Sequence, residues 1–422
     1  MAEKVPSLKD LAISISENAT IIEDFLVAND RPHLSFAATG DQMLPMGPEF
    51  EHVQDARITL IGKAKLLLDL ALGPIDGVKN LSFSNLHDLG ALSVIYRYNI
   101  PSLVALEGET PIGEISKATG LSERRLLTVL RQLMLHHVFY EPRENCVAHT
   151  ARSALLVRDP NAMDWLGHIA VECLPPTAKL SEALEVFGST DKDNEAAFNL
   201  TFNTKENCIQ YISSHPLSAK RFGGALAFLG DGDAVSYEGI VQIYPWGQLG
   251  VSKIVDVGGG RGRLSFALAE KYSDLTFVVQ DQPEMGKHIE YPPHLMDRVS
   301  FEVHDFFTPQ PIVAEVYLLG AVLHDWPDNK AIEIIQNLVA AMKDGARIIL
   351  AENVKMQSGS QPYFFEAIIR AMDMQMLTMF NSQERTLADW KALMQKADHR
   401  LEFCRVVSPP GHFSALEFVF HT

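Results

Sequence analysis

Residues 253–262 read KIVDVGGGRG, an apolar run that ends in glycines, and residues 263–272 continue as RLSFALAEKY, with apolar positions at helical spacing. A strand that passes through glycines into a helix is the first turn of a nucleotide-binding α/β unit. Glycine there lets a ligand approach the backbone and lets the helix N-terminus face it. The rhythm repeats downstream. LTFVVQD (275–281), VYLLGAVLH (316–324) and ARIILAENV (346–354) are short runs rich in Val, Ile and Leu, separated by helical stretches. Such alternation predicts a doubly wound α/β sheet, parallel and covered on both faces.

Working outward, the N-terminal half is helical in pattern. The first thirty or so residues form one amphipathic helix, and SFAATGDQMLPMGPEF (35–50) carries Pro and Gly breakers that make it a loop or strap. Ala56 to Leu72 is a helix closed by Gly73-Pro74, with another beginning near Asn85. Residues 110–141, TPIGEISKATGLSERRLLTVLRQLMLHHVFYE, read as a helix, a Thr-Gly turn, a second helix with Leu126, Leu127, Leu130 and Leu133 on one face, and a strand. That is a winged-helix pattern. DNA binding would need cations, but around this second helix only Arg124, Arg125 and Arg131 offer them, so the segment is expected to serve packing and dimerisation. The boundary is placed near residue 160, dividing a helical, winged-helix dimerisation and substrate domain (1–162) from a catalytic domain (163–422).

Composition agrees with this plan. A chain of 422 residues with 47% hydrophobic and 21% charged residues has ample apolar material for two cores. A net charge of −17 opposes nucleic acid and anionic membranes as partners. Cys146, Cys173, Cys208 and Cys404 are widely spaced and show no metal-ligand pattern, so no disulfide framework and no metal site are expected. No secretory signal or spanning segment stands out, and a reducing cytoplasmic setting is the expectation.

The glycine turn discriminates between cofactors. A NAD fingerprint would use Gly260, Gly262 and a third Gly or Ala, where this chain has Ser265. Asp256, just ahead of the glycines, would repel a pyrophosphate, yet suits the positively charged amino-acid portion of S-adenosylmethionine (SAM). Asp281, at the end of the next strand, is placed to accept hydrogen bonds from ribose hydroxyls. In HDFF (304–307), Asp305 is set to meet an adenine amino group, and Phe306 offers an apolar ring for the base. His324 follows an apolar strand into the same crevice, and an imidazole suits removal of a hydroxyl proton near neutral pH.

Taken in order, VDVGGGRG, VVQDQPEM, HDFF, LHDWPD and MDMQMLTMFNSQERT resemble the blocks of the SAM-dependent O-methyltransferases of the plant caffeic acid type, most closely their fungal secondary-metabolite relatives. The resemblance implies a class I methyltransferase, Rossmann-like sheet behind an N-terminal helical domain, and a homodimer acting on a small molecule. It implies SAM contacts from Asp256, Gly258, Gly260, Asp281, Asp305, Phe306 and Trp326. It also implies that His324 is the catalytic base, with Glu352 and Glu384 flanking it and holding its ring. Substrate contacts fall on Asp325, Met376, Met379 and Asn381, in a pocket crowded by Met372, Met374, Met376 and Met379, and His149 is expected to reach it from the first domain. One departure stands out: Gly320 occupies a position that is usually Arg or Lys in the family. The implied activity is methylation of a phenol or enol hydroxyl on an aromatic or polyketide-type metabolite. The alternative is a SAM-bound pericyclase of the same fold that keeps the methyl group. A non-catalytic, metabolite-binding regulator is disfavoured by the acidic charge and the His/Glu/Glu set.

Overall fold

Seven strands make one sheet: β1 (Ser252–Val257), β2 (Leu275–Asp281), β3 (Val299–Val303), β4 (Val316–Gly320), β5 (Arg347–Glu352), β6 (Leu401–Val407) and β7 (Ser414–Phe420). The computed structural model describes residues 6–39, 44, 45, 48–230, 237–287, 289, 291–409 and 413–422. Residues 1–5 of the expected first helix, and 40–43, 46 and 47 of the expected strap, lie outside them.

The strand order is β3-β2-β1-β4-β5-β7-β6. The first five strands are parallel, and β7 runs antiparallel to both β5 and β6. Alternate residues face opposite sides of a strand, and both sides here are dry. Val255, Val257, Tyr317, Leu319, Ile348 and Leu350 pack on one side, with Ile334, Leu338, Trp390 and Leu393 from the covering helices. Ile254, Val316, Leu318 and Ile349 pack on the other, with Leu264, Leu268 and Ile240. The strand order reverses between β1 and β4. Ligands of such sheets bind outside the carboxyl ends of the strands at that reversal.

The chain forms two units. The first comprises Met1–Leu174, His215–Phe228 and Gly359–Glu366, and the second Pro175–Ser214, Leu229–Ser358 and Ala367–Thr422. The sheet belongs to the second unit and starts only at Ser252, after a long run of helices.

In the first unit, helix Leu8–Ala28 starts with a reciprocal cap, in which the Ser7 hydroxyl accepts from the Asp10 N–H and the Asp10 carboxylate accepts from the Ser7 N–H. Its Ile22 and Leu26 pack against Val53 and Ala56. The next helix runs Glu51–Lys79, with a break at Gly73 (φ 63°, ψ −177°). The break at Gly73 and the helix that begins at Asn85 are as expected, but the stretch between them is helical too. Pro74 restarts the helix at once, because a first-turn proline lacks only an N–H that would be unpaired anyway. The chain then continues through a π turn (Asn80–Ser84) into helix Asn85–Arg97. Helices Ile112–Thr119 and Glu123–Met134 follow, separated by Gly120 in the left-handed conformation, and Leu126, Leu130 and Leu133 are buried. Thr110–Pro111 pairs antiparallel with Cys146–Val147.

Candidate active site

The glycine turn after β1 brings two carboxylates to the crevice. Gly258 and Gly260 have φ of 68° and 58°, a region that favours glycine, and a Cβ at Gly258 would stand 2.9 Å from a Val322 methyl at the end of β4. Asp256 is buried and accepts a 2.6 Å hydrogen bond from the Ser265 hydroxyl. Burial raises its pKa to about 6, against the Ser265 bond, and the Asp281 charge adds to the rise. Asp281 accepts from the N–H of Gly260 (2.8 Å) and of Gln282 (2.6 Å), yet burial still holds its pKa above the usual aspartate range. A carboxylate has about four acceptor sites, so two stay open toward a ligand diol.

Beside this turn lies an aromatic group. Phe306 and Phe307 meet Trp326 edge to face, with ring centroids 5.9 and 4.8 Å apart, and a Phe306 ring carbon lies 3.6 Å from where a Gly258 Cβ would be. Asp305 is exposed, and its carboxylate accepts from the Phe307 N–H at 3.0 Å. The surroundings of Asp256, Gly258, Gly260, Asp281, Phe306 and Trp326 suit a ligand with a cationic end, a diol and a flat base.

His324 sits in the short helix Leu323–Asp325 that follows β4, and it is buried. Its Nδ1 lies 2.9 Å from Glu384 Oε1, and its Nε2 lies 3.7 Å from Asp325 Oδ1. Ser382 donates to the His324 carbonyl at 2.6 Å. Glu352 does not hold the ring as expected. Its Oε1 accepts from the N–H groups of Val322 (3.0 Å) and Leu323 (2.8 Å), because the strand end directly opposite presents unpaired amides. The second oxygens of Glu352 and Glu384 are buried with no hydrogen-bond partner among the described residues.

Burial alone would push the His324 pKa down, but Glu384, Glu352 and Asp325 outweigh it and raise it to about 10. Burial raises Glu352 to about 7 and Asp325 to about 6, each against the opposing pull of His324. The group therefore holds protons more tightly folded than unfolded, which fixes the sign of the pH dependence. The His324 contribution is fully present below about 6.5 and is lost as pH rises through about 10. The acids add a loss in the same direction as pH rises through about 6 and 7. The cofactor-free protein is expected to melt highest in mildly acidic buffer and progressively lower towards pH 10, with a shallower decline in His324→Gln. Scanning fluorimetry checks this, and a melting temperature that rises over the same range would contradict it.

Other expected site residues go elsewhere. His149 is in the first unit, buried by Phe139, with Nδ1 on the Ser153 hydroxyl (2.9 Å) and Nε2 on the Val104 carbonyl (3.2 Å). Both ring nitrogens are engaged within the first unit. The Asn381 amide donates to the carbonyls of Thr190 (3.1 Å) and Lys192 (2.9 Å), a tie between loop and helix end. Met376 and Met379 are buried, whereas Met374 is half exposed and does not crowd a pocket. One organising residue escaped the sequence reading. Arg385 is fully buried and donates to the carbonyls of Leu323 and Trp326 (both 2.8 Å) and to Asp328, so it braces the loop that carries His324. In sequence it looks like any surface cation.

Comparisons with known proteins give the family. Residues 192–400 match the O-methyltransferase domain family. The chain is 34% identical over 412 residues to the O-methyltransferase of the grayanic acid biosynthesis cluster of Cladonia grayi, covering 96% of this chain and 86% of that protein. Among solved structures, OxaC superimposes with a TM-score of 0.78 at 20% identity, covering 98% of each chain. A structure described as a pericyclic reaction enzyme gives 0.72 at 20% identity, covering 97% of this chain and all of that one. No helix among the described residues is long and apolar enough to cross a membrane. Sequence identity at that level along nearly the whole chain means that this chain belongs to the O-methyltransferase family and is a methyltransferase whose cofactor is SAM.

Proposed function

We propose that the enzyme methylates a phenol or enol hydroxyl of a small aromatic or polyketide-type metabolite, with His324 as the base. The observation that carries this reading is the buried Glu384–His324 pair: Glu384 fixes Nδ1, and Nε2 is left with no hydrogen bond among the described residues. SAM supplies an electrophilic methyl group on a positively charged sulfur when bound. On this reading Asp256 accepts from the ammonium end, Asp281 takes the ribose hydroxyls, and Phe306 and Trp326 flank the adenine, with Asp305 toward its amino group. His324 Nε2 removes the hydroxyl proton as the oxygen attacks, and Glu384 steadies the imidazolium that forms. Because three carboxylates hold His324 protonated, it reaches its neutral form only when a second positive charge shares them, since a like charge lowers a histidine pKa. Asp325, Met376 and Met379 would line the substrate side.

The experiment is product analysis with SAM and a panel of phenols and enolised polyketides. A product one methyl group heavier, with equimolar S-adenosylhomocysteine, supports the reading. The second reading, a SAM-bound cyclase, is favoured by one observation. An imidazole held protonated by Glu384, Glu352 and Asp325 is a good hydrogen-bond donor. Conversion of substrate with no S-adenosylhomocysteine would establish that reading and overturn the first.

The enzyme is further proposed to be a cytoplasmic homodimer. In the first unit, Ile75, Val78, Leu81, Phe83 and Leu86 are each more than 60% exposed along consecutive helical turns. An apolar band of that density marks an interface. Light scattering is expected to give about twice 46.8 kDa, and Phe83→Asp with Leu86→Asp to shift it to the monomer. An active wild-type monomer at micromolar concentration would refute the dimer.

A further inference from the structure

Gly320 ends β4, where its backbone does not demand glycine, since its φ lies outside the left-handed region. Space demands it instead. A Cβ at position 320 would stand 3.1 Å from the Tyr237 hydroxyl and 3.3 Å from the ring carbons Cε1 and Cζ. The Tyr237 ring also stacks on Phe413, with centroids 5.0 Å apart and planes 26° apart. The phenol is therefore held against both Gly320 and an aromatic ring, which restricts where its hydroxyl points. The departure noted at position 320 and the presence of Tyr237 are one feature.

That hydroxyl has no hydrogen-bond partner among the described residues. Burial, and then the charges of Asp256, Glu352 and Asp325, push its pKa well above the usual tyrosine value. It stays protonated and so remains a donor. Three carboxylates lie within electrostatic range, yet it bonds to none of them, which leaves the hydroxyl available to an acceptor on a ligand.

The cofactor's polar groups narrow the choice. With Asp281 taking the ribose hydroxyls, and Phe306 and Trp326 beside the base, the amino-acid end falls to the region between β1 and β4. Asp256 suits its ammonium group. Its carboxylate, arriving among so many acids, needs a hydrogen-bond donor. We propose that Tyr237 is a cofactor-binding residue whose hydroxyl donates to the carboxylate of the amino-acid end of SAM, in the space that Gly320 leaves open. The inference rests on the cofactor placement given above. Arg263, also within electrostatic range of Tyr237, has one guanidinium nitrogen on the Gly230 carbonyl at 2.6 Å, and is the rival donor.

Calorimetric titration of the full chain with three ligands tests it: SAM, S-adenosylhomocysteine, and 5′-methylthioadenosine, which keeps the ribose and base but lacks the amino-acid end. Tyr237→Phe is expected to weaken the first two by about tenfold or more, as loss of a hydrogen bond to a charged group does, and to leave methylthioadenosine unchanged. Asp281→Ala is expected to weaken all three. The melting temperature of cofactor-free Tyr237→Phe should equal that of wild type, because the lost hydroxyl has no partner there. Unchanged SAM affinity in Tyr237→Phe would overturn the proposal, as would an equal loss for methylthioadenosine, which would make the residue a packing element only. Selective loss in Arg263→Met with none in Tyr237→Phe would transfer the role to Arg263. If Asp281→Ala leaves all three affinities unchanged, it is the underlying cofactor placement that fails.

Discussion

In His324→Ala, methyl transfer is expected to fall by about 10² to 10⁴, which corresponds to roughly 3 to 5 kcal/mol of barrier. SAM affinity should not fall, because no proposed cofactor contact uses the imidazole and the change removes a positive charge that competes with the cofactor for the same carboxylates. The loss should shrink as pH rises, since a substrate hydroxyl that ionises in solution no longer needs a base. His324→Gln, which keeps a hydrogen-bond donor near the same place, divides the two chemistries. If the residue removes a proton, Gln behaves like Ala. If it donates a hydrogen bond to a rearranging substrate, Gln retains much of the rate and high pH gives no rescue. Initial rates from pH 6 to 10, with S-adenosylhomocysteine measured in parallel, separate these outcomes. Rates in His324→Ala within a few-fold of wild type across that range would remove His324 from catalysis.

Arg385→Met should produce a large structural effect near the site. The guanidinium is fully buried, lies over Trp390 with its centre 5.0 Å from the ring centroid, and bonds to the Leu323 and Trp326 carbonyls and to Asp328. Methionine keeps much of the packing volume and removes every donor. The Trp326 carbonyl is then unpaired, the Leu323 carbonyl keeps only the Trp326 N–H at 3.3 Å, and Asp328, which is half exposed, regains water in place of its partner. Breaking a buried network of this kind costs about 3 kcal/mol or more, on the order of a 10 °C fall in melting temperature for a unit of this size. Activity should fall with it, because the same loop carries His324. His324→Ala also removes one partner of a buried ion pair and should itself melt lower near neutral pH, so its rates are compared at a temperature at which the variant stays folded. An Arg385→Met protein with wild-type melting behaviour would show that the turn holds itself without the guanidinium.

The residues that sequence and structure agree on share one property: their role is set by position along a strand or turn. Asp256 and Asp281 fall at the ends of β1 and β2, and the parallel register that aligns Val257 with Gln280 brings both carboxylates to one crevice. Local pattern is enough to place such residues. His324 is legible for the same reason, as the residue after an apolar run. The ties that His149 makes to Val104 and Asn381 makes to Thr190 were not legible, because those partners are distant in sequence. Val104 lies 45 residues from His149, and Thr190 lies 191 residues from Asn381. No spacing rule marks a carbonyl that far away as a partner.

The sequence by itself determined the α/β class, the glycine turn, the acids at the strand ends and the membership of the family. Those features depend on the periodicity of apolar residues and on short motifs, and both are local. Only the tertiary structure decided that Glu384 alone grips the imidazole while Glu352 ties down the Val322 and Leu323 amides. It also decided that a fully buried Arg385 braces the loop and that Tyr237 fills the room beside Gly320. The physical reason is that hydrogen bonds and steric fit act over a few ångströms. Which atoms come that close is fixed by how β1, β4 and β5 and the segments around Tyr237 and Glu384 pack together, and the linear order of residues carries no direct record of it.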